Sequence, residues 1–395
     1  MIKEWRKFGA TRIVTVIVGA FFILAILSYL IFISSIGVIK YSNTSDDIDV
    51  STLTNNIIAK PTITHIATPI PVKAIYITAC TASEKRLRNK TIELFKGTEL
   101  NSIVVDLKDY TGTVSYSSTT VGNYARGRGC IVQDFPEFIN ELHELGIYVI
   151  ARITVFQDPL YASKYPESAI KKVSNPESSW HDNMGLAYIH PGSKVFWDYI
   201  VDLSKEASSI GFDELNYDYI RFPSDGNIKD ILYNISSTTH RTNILSSFFA
   251  YLRQQMSETK AVLSADLFGL TTSASGDLGI GQVLEDALIY FDYVGPMVYP
   301  SHFAYGFIGI EKPATEPYKV VKYSMDQAFV KIYNASSTPN KLRPWLQAFN
   351  LGATYTPEMV RKQMQATYDA GFDSWMLWNA GSVYDKRIFL EESPM

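Results

Sequence analysis

Acidic and amide side chains alternate with bulky ones in residues 213–223, which read Asp-Glu-Leu-Asn-Tyr-Asp-Tyr-Ile-Arg-Phe-Pro. Because side chains on a strand alternate between its two faces, Glu214, Asn216 and Asp218 share one face, and the large residues between them pack on the other. Burying carboxylates without partners is unfavourable, so this pattern is typical of a site where substrate or water supplies the partner. The alternative is a buried ion-pair cluster around Arg221.

Eight apolar segments predict the strands that position these residues. They span 74–79, 102–108, 148–155, 214–220, 262–269, 293–299, 343–349 and 374–379. Helical segments at 135–145, 194–210 and 357–370 each stop at a glycine that precedes a strand, which is typical of repeated βαβ units. This layout predicts a (β/α)₈ TIM barrel over residues 73–395. A doubly wound open sheet is the second choice, since no Gly-x-Gly-x-x-Gly turn follows the first segment.

Polar residues collect at the predicted carboxyl ends of these strands, where TIM barrels hold their active sites. They occur at seven of the eight strand ends, and each residue alone could instead be a helix cap or a loop anchor. The candidates are Asp109, Arg152, Asp218, Arg221, Asp266, Tyr299, His302, Gln347, Trp378 and Asn379.

Motifs in the fourth to seventh strands resemble a known family. They are Asp-Tyr-Ile-Arg-Phe-Pro, Ser-Ala-Asp-Leu-Phe-Gly, Gly-Pro-Met-Val-Tyr-Pro-Ser-His-Phe and Arg-Pro-Trp-Leu-Gln-Ala-Phe. Together they resemble the glycoside-hydrolase TIM-barrel domain, a domain of unknown function related to the α-amylase-like barrels, over residues 72–390. The resemblance implies the barrel fold and a glycosidase ancestry.

The fourth segment is also similar in spacing to the chitinase-type Asp-x-x-Asp-x-Asp-x-Glu signature, but Ile220 stands where the acidic Glu would be. An amylase-like pair of carboxylates therefore fits better. Glycoside hydrolysis uses one carboxyl group to donate a proton and a second as nucleophile or base. Asp218 and Asp266, on neighbouring strands, are the predicted catalytic pair. Sequence alone leaves retaining and inverting geometries open.

The surroundings of the two carboxyl groups predict their roles. Arg221 and Asn216 lie near Asp218 in sequence, and a nearby cation or hydrogen-bond donor favours the ionised form of a nucleophile or base. Asp266 lies among apolar residues, which raise a carboxyl pKa and suit a general acid. The remaining candidates are predicted to bind substrate: Glu214, Asn216, Arg221, Asp109, Arg152, Tyr299, His302, Gln347, Trp378 and Asn379. Trp345 or Trp378 could stack on a sugar face, whereas Trp375 suits core packing.

The amino-terminal region predicts a membrane anchor. Residues 13–39 contain no charged side chain and exceed the roughly 20 apolar residues that a spanning helix needs. Four basic residues precede this segment and one follows it closely, which predicts a cytoplasmic tail at 1–12 and a barrel outside the plasma membrane. Residues 40–72 are rich in Ser, Thr, Asn and Pro and predict a stalk.

Charge narrows the choice of partners. Residues 1–40 hold five of the 36 basic and one of the 40 acidic residues, so the remainder carries 31 against 39, a net charge near −8. This argues against nucleic acid as a partner and favours a neutral polysaccharide or oligosaccharide over an anionic one, with a local basic cleft left open. No metal-ligand motif or cofactor fingerprint is present, so neither metal nor cofactor is predicted. Cys80 and Cys130 could form a disulfide or remain as two buried thiols.

Two functions follow from these observations. The first is a membrane-anchored glycoside hydrolase acting on a cell-envelope or extracellular polysaccharide, and the second is a non-catalytic carbohydrate-binding barrel. A metal-dependent hydrolase is a weaker third, because the histidine spacing supplies no ligand set. A catalytic site requires the two carboxyl groups at an open cleft with one pKa shifted, whereas a binding module would bury them or pair them off.

Overall fold

Eight parallel strands close into a barrel in the computed structural model, which describes residues 64–391 except 122–124, 126, 128, 234–239 and 260. In chain order they are β1 (Lys73–Ile77), β2 (Ser102–Lys108), β3 (Tyr148–Thr154), β4 (Glu214–Asp218), β5 (Val262–Phe268), β6 (Tyr293–Met297), β7 (Trp345–Gln347) and β8 (Trp375–Trp378). Ile75 of β1 pairs with Leu377 of β8, which closes the ring. The predicted TIM barrel is confirmed.

The strands are buried on both faces, as parallel strands covered by helices must be. Every residue of β2, β3 and β4 is buried. The fourth strand ends two residues earlier than its apolar pattern predicts. Tyr219 has a backbone φ of 52°, in the left-handed region, so the chain turns out of the sheet directly after Asp218.

Nine α-helices are assigned within the described residues, and most of them cover the barrel. They are α1 (Ala79–Ser83), α2 (Lys85–Ile92), α3 (Phe135–Glu144), α4 (Pro159–Lys164), α5 (Lys194–Ser209), α6 (Arg241–Met256), α7 (Leu284–Tyr290), α8 (Pro317–Asn334) and α9 (Pro357–Asp369). The three helices predicted with glycine stops are α3, α5 and α9. Gly146 and Gly371, just past α3 and α9, have φ of 72° and 87°, the left-handed conformation that a glycine helix stop supplies.

Two apolar layers result from the alternation of side chains along the strands. The larger layer lies between strands and helices and includes Leu215 and Tyr217 of β4. The smaller one fills the barrel and includes Tyr76, Tyr148 and Trp345. Glu214, Asn216 and Asp218 thus point inward, as their alternation predicts.

Cys80 in α1 and Cys130 in the segment after β2 form a disulfide, with their Cα atoms 4.9 Å apart. The alternative of two free buried thiols is therefore not what the structure shows. The bridge ties the loop region after β1 to the one after β2.

Residues 64–72, the end of the predicted stalk, contact the barrel. The backbone N–H of Ile66 donates to Asp213 at 2.8 Å, the hydroxyl groups of Thr68 and Tyr148 lie 3.0 Å apart, and Val72 is buried. The predicted tail (1–12), membrane span (13–39) and residues 40–63 of the stalk lie outside the described residues. Within the described ranges, no helix is both long and apolar enough to cross a bilayer.

Candidate active site

A cavity of about 480 Å³ opens at the carboxyl ends of the barrel strands. Its position follows from four lining residues that are the last residues of their strands: Asp218, Phe268, Met297 and Trp378. The other lining residues are Arg152, Tyr219, Arg221, Asp225, Asp266, Gly269, Leu270, Tyr299, His302, Phe303 and Trp345. The structure therefore brings seven of the predicted site residues to one cavity, at the end of the barrel where the sequence places the site.

Asp218 is fixed at the cavity by a cation and a backbone group. Its Oδ2 accepts hydrogen bonds from Nε and Nη2 of Arg152 at 3.2 and 2.5 Å. Its Oδ1 accepts from the backbone N–H of Tyr219 at 2.6 Å, a contact that depends on the left-handed turn there. The predicted cationic neighbour, Arg221, makes no ion pair with Asp218, because the turn carries it away from the carboxylate. Arg152, from the neighbouring strand, takes that place.

A chain of contacts across four strands holds Arg152. Its Nη1 donates to Oδ1 of Asp106 on β2 at 2.7 Å, and the hydroxyl of Tyr76 on β1 donates to the other oxygen of Asp106. The guanidinium of Arg152 lies 4.8 Å from the ring of Trp378, which stacks on Tyr76 at 3.9 Å between centroids. Asp218 on β4 is thus oriented by residues from β1, β2, β3 and β8.

Asp266 on β5 lies in a different environment. Its Oδ1 accepts hydrogen bonds from Nδ2 of Asn216 at 2.9 Å and from Nε1 of Trp345 at 2.7 Å. Burial raises the pKa of the Asp266 carboxyl well above its ordinary range, and the negative charge of Asp218 raises it further. The two hydrogen bonds oppose this shift without cancelling it. Asp266 is therefore a carboxyl group that keeps its proton to a higher pH than an ordinary aspartic acid does.

Gly295 makes room for Asp266. It lies opposite Asp266 in the β5–β6 register, and a Cβ at position 295 would approach Oδ1 of Asp266 to 2.8 Å. The same atom would lie 2.9 Å from the methyl carbon of Met376. Only glycine fits without displacing the carboxyl group. Gly295 is not among the predicted site residues, although a glycine inside a strand is a recognised sign of close approach.

Tyr299 and His302 add polar groups to the wall of the cavity. Burial and the nearby charges of Asp266 and Asp218 raise the pKa of the Tyr299 hydroxyl well above its ordinary range. That hydroxyl stays protonated and can donate a hydrogen bond. Burial lowers the pKa of His302, which favours the neutral imidazole at neutral pH. The two rings lie 5.3 Å apart.

Two predicted substrate-binding residues of β4 are enclosed within the barrel and do not line the cavity. Glu214 is fully buried, pairs with Nη1 of Arg343 at 2.7 Å and accepts from the hydroxyl of Tyr148 at 3.1 Å. Asn216 was predicted to lie beside Asp218, but its side chain donates to Asp266 instead. An inward side chain meets the strand next to it in the barrel, so neighbours in sequence need not be contacts.

Three more of the predicted substrate-binding residues are used to fasten loops. Asp109 accepts hydrogen bonds from the backbone N–H groups of the two threonines that follow it, at 2.8 and 3.3 Å. Gln347 accepts from the backbone N–H of Ser301 at 3.1 Å and donates to the carbonyl of Phe349 at 3.0 Å. Asn379 donates to two loop carbonyls at 2.7 and 2.8 Å. None of the three lines the cavity.

Aromatic and apolar residues form much of the remaining wall. Trp345 and Trp378 meet edge to face with centroids 5.7 Å apart, and both line the cavity. Trp375 is fully buried in the outer layer, as predicted. Phe268, Met297 and Phe303 complete an apolar surface of the kind on which a sugar ring packs. The sequence carries a signal for this part of the wall, because β5 ends at Phe268 and β6 ends at Met297, both of them apolar.

The fold and the cavity define a class of protein: a TIM barrel with carboxyl groups at the carboxyl ends of its strands, where enzymes of this fold hold their active sites. The chain belongs to the family described as "Putative glycosyl hydrolase domain", whose model matches residues 74–384. The predicted family is confirmed, and membership of this family supports glycosidase activity.

Two solved structures, each 13% identical to this chain, share its fold. The PgaB (BpsB) glycoside hydrolase domain from Bordetella bronchiseptica is 13% identical, with a TM-score of 0.57, over 79% of this chain and 95% of its own. α-L-Fucosidase isoenzyme 2 from Paenibacillus thiaminolyticus is 13% identical, with a TM-score of 0.53, over 80% of this chain and 47% of its own. A hypothetical protein from Ruminiclostridium thermocellum is 35% identical over 49% of this chain and 96% of its own, with a TM-score of 0.43. No curated protein matches the chain.

Proposed function

We propose that the protein hydrolyses an O-glycosidic bond with Asp266 as proton donor and Asp218 as nucleophile or base. The observation that carries this proposal is the contrast between two carboxyl groups at one cavity. Asp218 is paired with a guanidinium, whereas burial raises the pKa of Asp266. Two carboxyl groups in opposite environments are what acid and base roles require.

The proposed reaction begins with proton transfer from Asp266. The O–H of Asp266 protonates the glycosidic oxygen as its bond to the anomeric carbon breaks, which leaves Asp266 as a carboxylate. In one alternative, Asp218 removes a proton from a water that attacks the anomeric carbon. In the other, Asp218 attacks the anomeric carbon itself, and the Asp266 carboxylate then removes a proton from a water that hydrolyses the glycosyl–Asp218 ester. The Tyr299 hydroxyl is available to hydrogen-bond a sugar hydroxyl, and Trp378 offers a stacking face.

The substrate class and the location are part of the proposal. The apolar stretch at 13–39 and the basic residues before it support a single-pass anchor that places the barrel outside the plasma membrane. A cell-envelope or extracellular polysaccharide is then the substrate within reach. Protease added to intact cells is expected to remove the barrel, and protection of residues 73–395 would contradict the orientation.

A carbohydrate-binding barrel without turnover is the second candidate. It is favoured by the burial of both carboxyl groups, 5% exposed for Asp218 and 1% for Asp266, and by the ion pair of Asp218 with Arg152. A binding module would keep the cavity and its aromatic wall while the carboxyl groups served only to stabilise the barrel.

One experiment separates the two functions. The purified full-length chain, kept in mild detergent, is incubated with envelope and plant-type polysaccharides, and released reducing ends are measured for wild type and Asp218→Asn. Release that disappears in the variant supports hydrolysis by this site. Release that persists in the variant rejects the role of Asp218. If no glycoside is cleaved but oligosaccharides raise the Tm of the wild type, the binding function holds.

A further inference from the structure

Arg221 differs from every other buried cation in the described part of the chain. Four of the five pair with a carboxylate at 2.9 Å or less: Arg88 with Asp134, Lys108 with Asp158, Arg152 with Asp106, and Arg343 with Glu214. Arg221 is 7% exposed, yet no carboxylate of the described residues lies within ion-pair distance of it. Because a buried cation without a counter-ion is unfavourable, this arrangement calls for an anionic partner from outside the chain.

The guanidinium of Arg221 is held in place by neutral groups. Its carbon lies 4.7 Å from the ring centroid of Tyr219 and 4.7 Å from that of Phe268. Nη1 donates to Oγ of Ser224 at 2.8 Å. Two aromatic contacts and one hydroxyl fix the position of the group without neutralising its charge. The side chain lines the cavity together with Asp218.

The other charged groups at the cavity do not compete for the same ligand. Arg152 already pairs with the carboxylates of Asp106 and Asp218, so it offers no free positive charge. His302 is neutral near pH 7, because burial lowers its pKa. Asp225 lines the cavity as an exposed, solvated carboxylate. Arg221 is thus the cation at this cavity that is left to bind an anion, among the described residues.

We infer that the site takes a carboxylated sugar, a uronic acid residue, with its carboxylate on Arg221 in the subsite beside Asp218. This rests on the proposed function, whose substrate class it narrows. A guanidinium presents two parallel N–H donors that match the two oxygens of a carboxylate, and an apolar wall suits the sugar ring. The net negative charge outside residues 1–40 favours a neutral substrate. Recognition in the cavity depends instead on the charges that face the ligand there, and Arg221 is positive.

The test measures binding of monosaccharides, which have no glycosidic bond to cleave and so report on recognition alone. D-Glucuronic, D-galacturonic and D-mannuronic acids are titrated against D-glucose, D-galactose and D-mannose. The protein is the full-length chain in mild detergent, and the readout is tryptophan fluorescence, since Trp345 and Trp378 line the cavity. At least one acid is expected to bind about tenfold more tightly than its parent sugar.

Three variants assign that preference to Arg221. Arg221→Gln is expected to lose it with little change for the parent sugar, and Arg221→Lys to keep only part of it, because an ammonium lacks the paired donors. Arg241→Gln is the matched control. Arg241 also lies over two aromatic rings, at 5.7 Å from Phe222 and 4.8 Å from Tyr233, but does not line the cavity, so the preference should be unchanged.

Several results would overturn the inference. One is that no acid binds better than its parent, and another is that the preference survives in Arg221→Gln. Tighter binding of D-glucose 6-phosphate than of any uronic acid would reject the carboxylate as ligand. If Arg221→Gln does not fold, as judged by circular dichroism, an unchanged preference in Arg221→Lys is the overturning result. Acid-specific binding without cleavage of any glycoside would uphold this inference and reject the proposed hydrolysis.

Discussion

Two arginine–carboxylate pairs share the inner face of β4, and they differ in access to the cavity. Glu214, the first residue of the strand, pairs with Arg343 at 2.7 Å, and these residues are 0% and 2% exposed. Asp218, the last residue, pairs with Arg152 at 2.5 Å, and both line the cavity. The same kind of ion pair thus lies in the closed interior of the barrel at the start of β4 and at the ligand cavity at the end of β4.

A buried ion pair therefore indicates a ligand-binding site only at the end of the barrel where the cavity opens. Both pairs satisfy the expectation that buried ions find partners. Only the pair at the carboxyl end also borders a second carboxyl group with a raised pKa, that of Asp266. If this comparison is sound, substitutions at the two ends of β4 should separate catalysis from stability.

The largest effect is expected for Asp218→Asn. It removes the nucleophile or base but keeps the shape of the side chain, so kcat should fall by about a thousandfold or more. Arg152 retains Asp106 as partner, so oligosaccharide binding and the Tm should change little. The rate of reducing-end release measures the first, and thermal unfolding with and without ligand measures the second. A variant with wild-type rates would reject the assignment of Asp218 as nucleophile or base.

Asp266→Asn should affect substrates according to their leaving groups. Without the proton donor, natural polysaccharides with poor leaving groups should lose roughly a hundredfold or more in rate. Activated aryl glycosides, whose leaving groups need no protonation, should be cleaved at nearly the wild-type rate. The ratio of the two rates is the measurement, and equal losses on both substrates would show that Asp266 is not the acid.

The raised pKa of Asp266 also predicts a pH dependence. Catalysis needs the protonated form, so activity should persist above the ordinary Asp value of about 4 and decline as the pH rises through the raised value. The free energy of unfolding should change with pH in the same direction as the activity, since the folded state binds this proton more tightly than the unfolded state does. Raising the pH between the two values should therefore lower the free energy of unfolding. The loss of activity and the loss of stability at higher pH should both weaken in Asp266→Asn. If activity in this variant still declines as the pH rises, the decline belongs to another group.

Gly295→Ala tests the position of the acid without removing it. The new methyl group would lie 2.8 Å from Oδ1 of Asp266, so kcat should fall by about tenfold to a hundredfold as the carboxyl group shifts. The alkaline limb of the pH profile should move with it. Gly276→Ala is the matched control, because a Cβ there meets no atom within 4 Å. Equal kcat values in the two variants would contradict a positioning role.

The smallest effect on catalysis is expected for Glu214→Gln, at the closed end of β4. This variant leaves Arg343 as a buried cation with a neutral partner, so the free energy of unfolding should fall by about 3–5 kcal/mol. In the variant that remains folded, kcat should stay within about threefold of wild type, since Glu214 does not reach the cavity. Urea unfolding and reducing-end assays measure the two quantities. A large loss of kcat with unchanged stability would reverse the comparison on which these predictions rest.

The barrel was predictable because its signals are local. Apolar runs and glycine helix stops predicted all eight strands, and the second segment even with the observed bounds, Ser102–Lys108. The end of β4 was placed too late, because a tyrosine at 219 gives no sign of a left-handed turn. Sequence patterns report the preferences of side chains. The left-handed backbone at Tyr219 instead accompanies a particular contact, the hydrogen bond from its N–H to Asp218.

The site was predictable only in outline. Polar strand ends brought Asp218 and Asp266 to one cavity, because strand ends of a barrel meet at one rim. The partners were not predictable, since Arg152 pairs with Asp218 across strands and Asn216 turns to Asp266. Which residues face each other depends on register and strand tilt, and one sequence carries no local signal of either. The role of Gly295 was unpredictable for the same reason, because the space that it leaves is used by Asp266 on the neighbouring strand β5.

Tyr219 occupies a backbone conformation that glycine adopts freely and that an ordinary residue adopts at a penalty of about 1 kcal/mol or more. A glycine at this position would relieve the strain, but it would remove one of the two rings that hold Arg221. The ring also packs against the main core, so the strained backbone at 219 is retained in exchange for a contact that both stabilises the barrel and positions Arg221.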